Sequence, residues 1–179
     1  MQMANTDVQG PQNAMLNTLE HLGEGTALAQ QIFDMIGHSR FFADFTREDI
    51  QRLTAFMQVY RAEAAQMMIR EGDIDDYMLL IIQGRVEIVK IDTHGHLQAM
   101  TTVGSGATLG EMSMIDGEPR FATCMAIEAT TFAVLSRDSM VQIILEEPGL
   151  GAKVLVKLVT LLSQRLRQTS SSLLQYMER

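Results

Sequence analysis

Between residues 57 and 136 the chain breaks into short apolar runs separated by glycine and acidic turns. The runs cover 66–70, 77–82, 86–91, 97–103, 123–126 and 131–136, each too short for a stable helix and each of strand length. Gly72-Asp73, Gly84 and His94-Gly95-His96 mark the turns between them. Many short strands at this spacing predict an antiparallel sandwich or barrel, with the pairing order left open.

Helical periodicity flanks this block. From Ala14, the positions Leu16, Leu19, Leu22, Leu28, Ile32, Met35 and Ile36 recur every three or four residues, with breaks near Gly23 and Gly25, so 14–56 reads as a helical lead-in. Phe41, Phe42 and Phe45 follow. Thr46 then suits an N-cap, with Asp49 three residues on and Ile50, Leu53 and Phe56 turned inward. Residues 1–13, rich in Gln and Asn, carry no periodic apolar positions and are expected to be a disordered tail. After Ser136 or Asp138 a short helix through Val141, Ile144 and Leu145 is expected to stop at Pro148-Gly149. A long helix completes 137–179. Its seam of Leu155, Leu158, Leu162, Leu166, Thr169, Leu173 and Met177 reads as a homodimer contact, with packing against its own barrel as the open alternative. The fold class is therefore α+β, mostly β with flanking helices.

Charge and composition narrow the function. A formal net charge of -8 over 179 residues argues against a nucleic-acid partner, since phosphate readers need clustered Lys and Arg, and Arg165, Arg167 and Arg179 are too scattered to form such a surface. Cys124, the single cysteine, excludes an internal disulfide and suits a reducing compartment. No leader-like N-terminus or membrane-length apolar stretch is present, so no membrane partner and a cytoplasmic location are expected. His94 and His96 stand two apart but lack the later carboxylate and histidine of a β-barrel metal site, and His21 and His38 lack ligand partners in spacing. Asp73, Asp75 and Asp76 read as a solvated turn, so no metal is expected. Nothing resembles a nucleophile elbow or a Gly-rich nucleotide loop, and the chain is not expected to be an enzyme.

The chemistry is concentrated in 109–123, Leu-Gly-Glu-Met-Ser-Met-Ile-Asp-Gly-Glu-Pro-Arg-Phe-Ala-Thr. Gly110 allows close backbone approach to a ligand, and amides opening the next turn favour an anion. Arg120 supplies a planar cation suited to phosphate oxygens. Glu111 repels a bare phosphate but accepts from a sugar hydroxyl, and a phosphate beside a ribose hydroxyl describes a cyclic nucleotide.

This stretch resembles the phosphate-binding cassette of cyclic-nucleotide-binding domains, of the catabolite activator and cyclic-AMP-dependent kinase regulatory subunit type. Glu71-Gly72-Asp73 and the run from Tyr77 through Gly84 to Val86 are similar to the family's earlier strand-turn-strand signature, and the likeness spans about 41–173. It implies an antiparallel β-roll of jelly-roll type over 57–136, with Glu111 on the ribose, Arg120 on the cyclic phosphate, and backbone around Gly110, Met112, Ser113, Phe121 and Ala122 completing the cradle. The 164–170 segment resembles the catabolite activator's dimer helix, which implies base contacts from Thr169 and Ser170, one from each protomer. Phe121 departs from the family's small or hydroxylated residue and leans against cyclic GMP. The implied ligand is cyclic AMP, with cyclic GMP and cyclic di-GMP open. The chain is expected to act on an unidentified protein effector, because too few residues follow the long helix for a helix-turn-helix. A fold that has lost its ligand and serves as an interaction scaffold is the alternative.

Overall fold

The computed structural model describes residues 14–35 and 39–178. The expected tail, Ile36, His38 and Arg179 lie outside the described residues. Among the described residues, nine antiparallel strands form two sheets. They are β1 (Glu20–Glu24), β2 (Gln58–Ala62), β3 (Met67–Ile69), β4 (Tyr77–Gln83), β5 (Arg85–Ile91), β6 (Leu97–Gly104), β7 (Thr108–Leu109), β8 (Thr123–Ala126) and β9 (Thr130–Ser136). One sheet has the order β1-β2-β9-β4-β7 and the other β3-β8-β5-β6. The helices are α1 (Ala29–Asp34), α2 (Arg47–Thr54), α3 (Glu111–Asp116), α4 (Arg137–Glu146) and α5 (Pro148–Met177).

The unbroken apolar run of β4 explains the layering. A strand alternates its side chains between two faces, so six consecutive buried residues require cover on both. Tyr77, Leu79 and Ile81 enter a core between the two sheets, while Met78, Leu80 and Ile82 enter a second core against the helices. Strand β9 divides in the same way, Phe132 and Val134 on one side and Ala133 and Leu135 on the other. The five-stranded sheet is thus the central layer.

One sequence expectation changes. Residues 20–24 are not helical but pair as β1 with β2. Leu16 and Leu19 are buried between the sheets, while Leu22, which continues their spacing, is exposed. Three apolar positions span too few turns to outweigh a hydrogen-bonded ladder on the free edge of β2. The expected helix through Val141, Ile144 and Leu145 forms as α4, and its buried residues are Met140 and Ile143. Ser136, accepting from the Ser139 amide at 3.0 Å, fixes the start of the helix and so its rotation. Pro148 separates the last two helices as expected and also opens α5, where its missing N–H costs no helical bond.

The expected cap on α2 forms in full. Thr46 Oγ1 accepts from the Asp49 amide and Asp49 Oδ2 accepts from the Thr46 amide, with Ile50 and Leu53 buried and Phe56 partly so. The α5 seam is covered only in part. Leu158 is buried on the domain itself, as is Val154 beside the seam, whereas Leu155, Leu166, Leu173 and Met177 are exposed.

Candidate cyclic-nucleotide site

A cavity of about 420 Å³ opens between β5 and β6, the 109–123 segment, and α5. Gly110 ends β7 and begins α3 with φ of 78°, and a Cβ there would lie 2.6 Å from Arg120 Nη1, so the turn requires glycine. This turn delivers Glu111 to the cavity with its side chain 1% exposed. The first-turn amides of α3 have no acceptor within the helix.

Arg120 reaches the same cavity from the other end of the segment. Its backbone is pinned to the β3–β4 turn, its N–H donating to Asp73 O at 2.8 Å and its carbonyl accepting from Gly72 N at 2.9 Å. The guanidinium is 1% exposed, donates from Nη1 to Gly110 O at 2.9 Å, and lies 4.4 Å from the Tyr77 ring centroid. Nε stands 3.7 Å from Asp75 Oδ2. Nε and Nη2 make no hydrogen bond among the described residues. Buried donors without acceptors are costly, so Nε and Nη2 can take further acceptors from the cavity side. Burial raises the Tyr77 hydroxyl pKa, with the Asp75 charge adding to it. Burial also pushes the Cys124 thiol, on the cavity wall, up to about 12, which keeps it neutral.

The α5 wall is formed by Arg165, Gln168 and Thr169. Arg165 forms an ion pair with Glu111 and donates to Thr108 O at 2.8 Å. Burial lowers the Arg165 pKa. At the rim, Phe121 is 54% exposed, with Lys90 Nζ 4.0 Å from its ring centroid and donating to its carbonyl. Lys90 is in turn held by Glu71 at 2.8 Å.

Residues 59–147 match the family described as the cyclic nucleotide-binding domain. A crystal structure of a cyclic nucleotide-binding domain from Methylobacillus flagellatus is 40% identical, with a TM-score of 0.81, covering 91% of this chain and 92% of that one. The chain belongs to the cyclic nucleotide-binding domain family. Among curated relatives, a cyclic AMP receptor protein of Thermus thermophilus is 25% identical over 75% of this chain and 61% of its own length. A cGMP-dependent protein kinase of Caenorhabditis briggsae is 28% identical over 74% of this chain and 17% of its own length. The chain thus spans less than two thirds of either relative. The regulatory domain of Toxoplasma gondii protein kinase A, solved with cAMP, is 26% identical with a TM-score of 0.58, covering 65% of this chain and 44% of that one.

Within this cyclic nucleotide-binding domain, Gly110, Glu111, Met112, Ser113, Arg120, Phe121, Ala122 and Thr169 all line the one cavity. Ser170 does not line it, and its hydroxyl donates to Leu166 O one turn back along α5. Sequence reasoning missed Arg165 and Gln168, although Arg165 stands one helical turn before Thr169 and Gln168 three residues after Arg165. It also read Asp75 as solvated, whereas Asp75 is 6% exposed beside Arg120. The His94–His96 segment is the β5–β6 hairpin turn, its backbone amides held by Asp92. Among the described residues no cluster of His, Cys, Asp and Glu is placed to hold a metal ion, and no helix is long and apolar enough to cross a membrane.

Proposed function

We propose that this domain is a cyclic AMP sensor that passes nucleotide occupancy to a protein partner through α5. The observation that carries the reading is the buried Arg120 guanidinium with open donors in the same cavity as the buried Glu111 carboxylate. Arg120 takes the cyclic phosphate, Glu111 the ribose hydroxyl, and the amides around Met112, Ser113, Phe121 and Ala122 complete the anion site. Phe121 offers no hydroxyl to a guanine base, which favours cyclic AMP over cyclic GMP. The domain carries no catalytic role in this reading and acts in the cytoplasm.

Glu111 is also where the signal leaves the cavity. A ribose hydroxyl reaching Glu111 alters its contact with Arg165, and hence the seat of α5. The shift occurs only to the extent that the nucleotide prefers one arrangement of α5 over the other. The exposed second half of α5 is the surface for a second copy, which would bring its own Ser170 toward this cavity. A second reading, a ligand-free scaffold, is favoured by one feature: Arg165 pairs with Glu111 and so engages the carboxylate that a ribose hydroxyl would need.

Isothermal titration with cyclic AMP and cyclic GMP decides between them. Cyclic AMP is expected to bind more tightly, and Arg120→Ala to lose about 2–5 kcal/mol, on the order of 30-fold or more in Kd. Normal binding by Arg120→Ala overturns the assignment of the phosphate site. Binding of neither nucleotide to the unmodified chain leaves the scaffold reading.

A further inference from the structure

We infer that Gln168 is the residue that distinguishes adenine from guanine in this cavity, an inference that rests on the cyclic-nucleotide reading above. Residues three and four apart share a helix face, so Arg165, Gln168 and Thr169 form one continuous wall of α5. The opposing walls come from Ile69, Ile88, Val103 and Leu109, together with the neutral thiol of Cys124. With the phosphate at Arg120 and the ribose at Glu111, these walls suit the faces of a purine but leave its polar edge unmatched. Among the described lining residues, Gln168 alone carries an uncharged donor and acceptor side by side.

That amide is available. It makes no hydrogen bond among the described residues and stands exposed at the cavity mouth. Adenine presents an exocyclic N–H donor at N6 next to the N7 acceptor, and a glutamine amide matches both, Oε1 accepting from N6 and Nε2 donating to N7. Guanine presents two acceptors on that edge, O6 and N7, and one amide satisfies only one of them without leaving its own oxygen facing another oxygen. Thr169 cannot make this distinction, because a hydroxyl rotates to donate or accept as needed. Ser170 is turned away from the cavity of its own chain.

The test titrates the full-length chain and Gln168→Ala with cyclic AMP, cyclic GMP and the 7-deaza analogue of cyclic AMP, which lacks the N7 acceptor. Position 168 is exposed, and circular dichroism checks that the variant keeps its fold. The expected result is a loss of cyclic AMP affinity of about 5- to 150-fold in Gln168→Ala, with cyclic GMP affinity nearly unchanged. The 7-deaza analogue should bind the unmodified chain more weakly than cyclic AMP and lose less on the Gln168→Ala change. An unmodified chain that binds cyclic AMP while Gln168→Ala keeps the same cyclic AMP to cyclic GMP ratio overturns this inference alone. An unmodified chain that binds neither nucleotide overturns the cavity reading and this inference with it.

Discussion

A single methyl group at position 110 would reach the side chain around which the cavity is built. Gly110 and Gly72 both have positive φ, 78° and 85°, so alanine at either carries similar backbone strain, about 1–2 kcal/mol. They differ in what a Cβ meets. At 110 it lies 2.6 Å from Arg120 Nη1 and 3.2 Å from Tyr77 O, whereas at 72 nothing lies within 4 Å. Gly72→Ala is therefore expected to lower the urea midpoint while keeping nucleotide affinity. Gly110→Ala should lower both, because Arg120 must move away from Gly110 O. Equal affinities for the two variants would show that the close approach at 110 does not set the position of the guanidinium. The same residues show what a sequence reveals at this scale. Gly110, Glu111 and Arg120 are legible because their chemistry is packed into one short segment. Arg165 is not, since its partner Glu111 lies far away in the chain and only the fold brings α5 across the cavity. Asp75 looked like one of three solvated turn acids until its neighbour proved to be a buried arginine.

Elements were most legible where burial is two-sided or a cap is local. The apolar run of β4 and the Thr46–Asp49 cap are both written in contiguous residues, while β1 is a strand only because β2 offers an edge. Connections between elements were not legible, and Arg137 shows why. At the start of α4 it donates from Nε to Met114 O at 2.7 Å and from Nη2 to Ser113 O at 2.8 Å, holding α3 from below. Asp49 plays the equivalent part between α2 and α5. Burial acts to raise its pKa, but the Lys153 ammonium at 2.6 Å and the Thr46 amide outweigh it and bring the carboxyl down from 3.8 to about 2. Arg52, 3.0 Å from Asp49 and 2.9 Å from Glu147, extends the network. A carboxyl whose pKa is lower in the folded state adds stability that is complete above pH 3.8 and is lost as pH falls toward 2. Asp49→Asn keeps an acceptor for the Thr46 amide but removes the charge, so it should cost about 2 kcal/mol at pH 7. Urea unfolding of both proteins from pH 7 to pH 2 should show the two stabilities converging at the acid end. A constant difference across that range would mean that the Lys153 pair contributes nothing.

For the whole molecule, the defining feature is the uncovered far half of α5. The helix has 30 residues, about 45 Å, and its buried positions, Leu150, Gly151, Val154 and Leu158, all fall in the first half. Gly151 sets that half against α4, since a Cβ there would lie 2.9 Å from Ile144 Cα. Beyond Arg165 the helix exposes Leu166 at 69%, Leu173 at 58% and Leu174 at 59%. Leu166 and Leu173 stand seven residues apart, the spacing of one side of a paired helix. An isolated helix gains little stability in water without an apolar face covered, so a partner helix over this half would stabilise it. A second copy supplies one with the same pattern. Light scattering after gel filtration should give a dimer for the unmodified chain and a monomer for Leu166→Glu combined with Leu173→Glu, because two buried carboxylates would face each other across the pair. Both changes lie outside the domain core, so thermal unfolding of the β-sheets should be little affected. If the partner helix also brings Ser170 to the base, the monomeric variant should bind cyclic AMP more weakly while retaining the phosphate contact that Arg120→Ala removes. A dimer with unaltered cyclic AMP affinity in the double variant would place the interface elsewhere, and an unmodified chain that is monomeric at micromolar concentration would leave the stripe to a different protein.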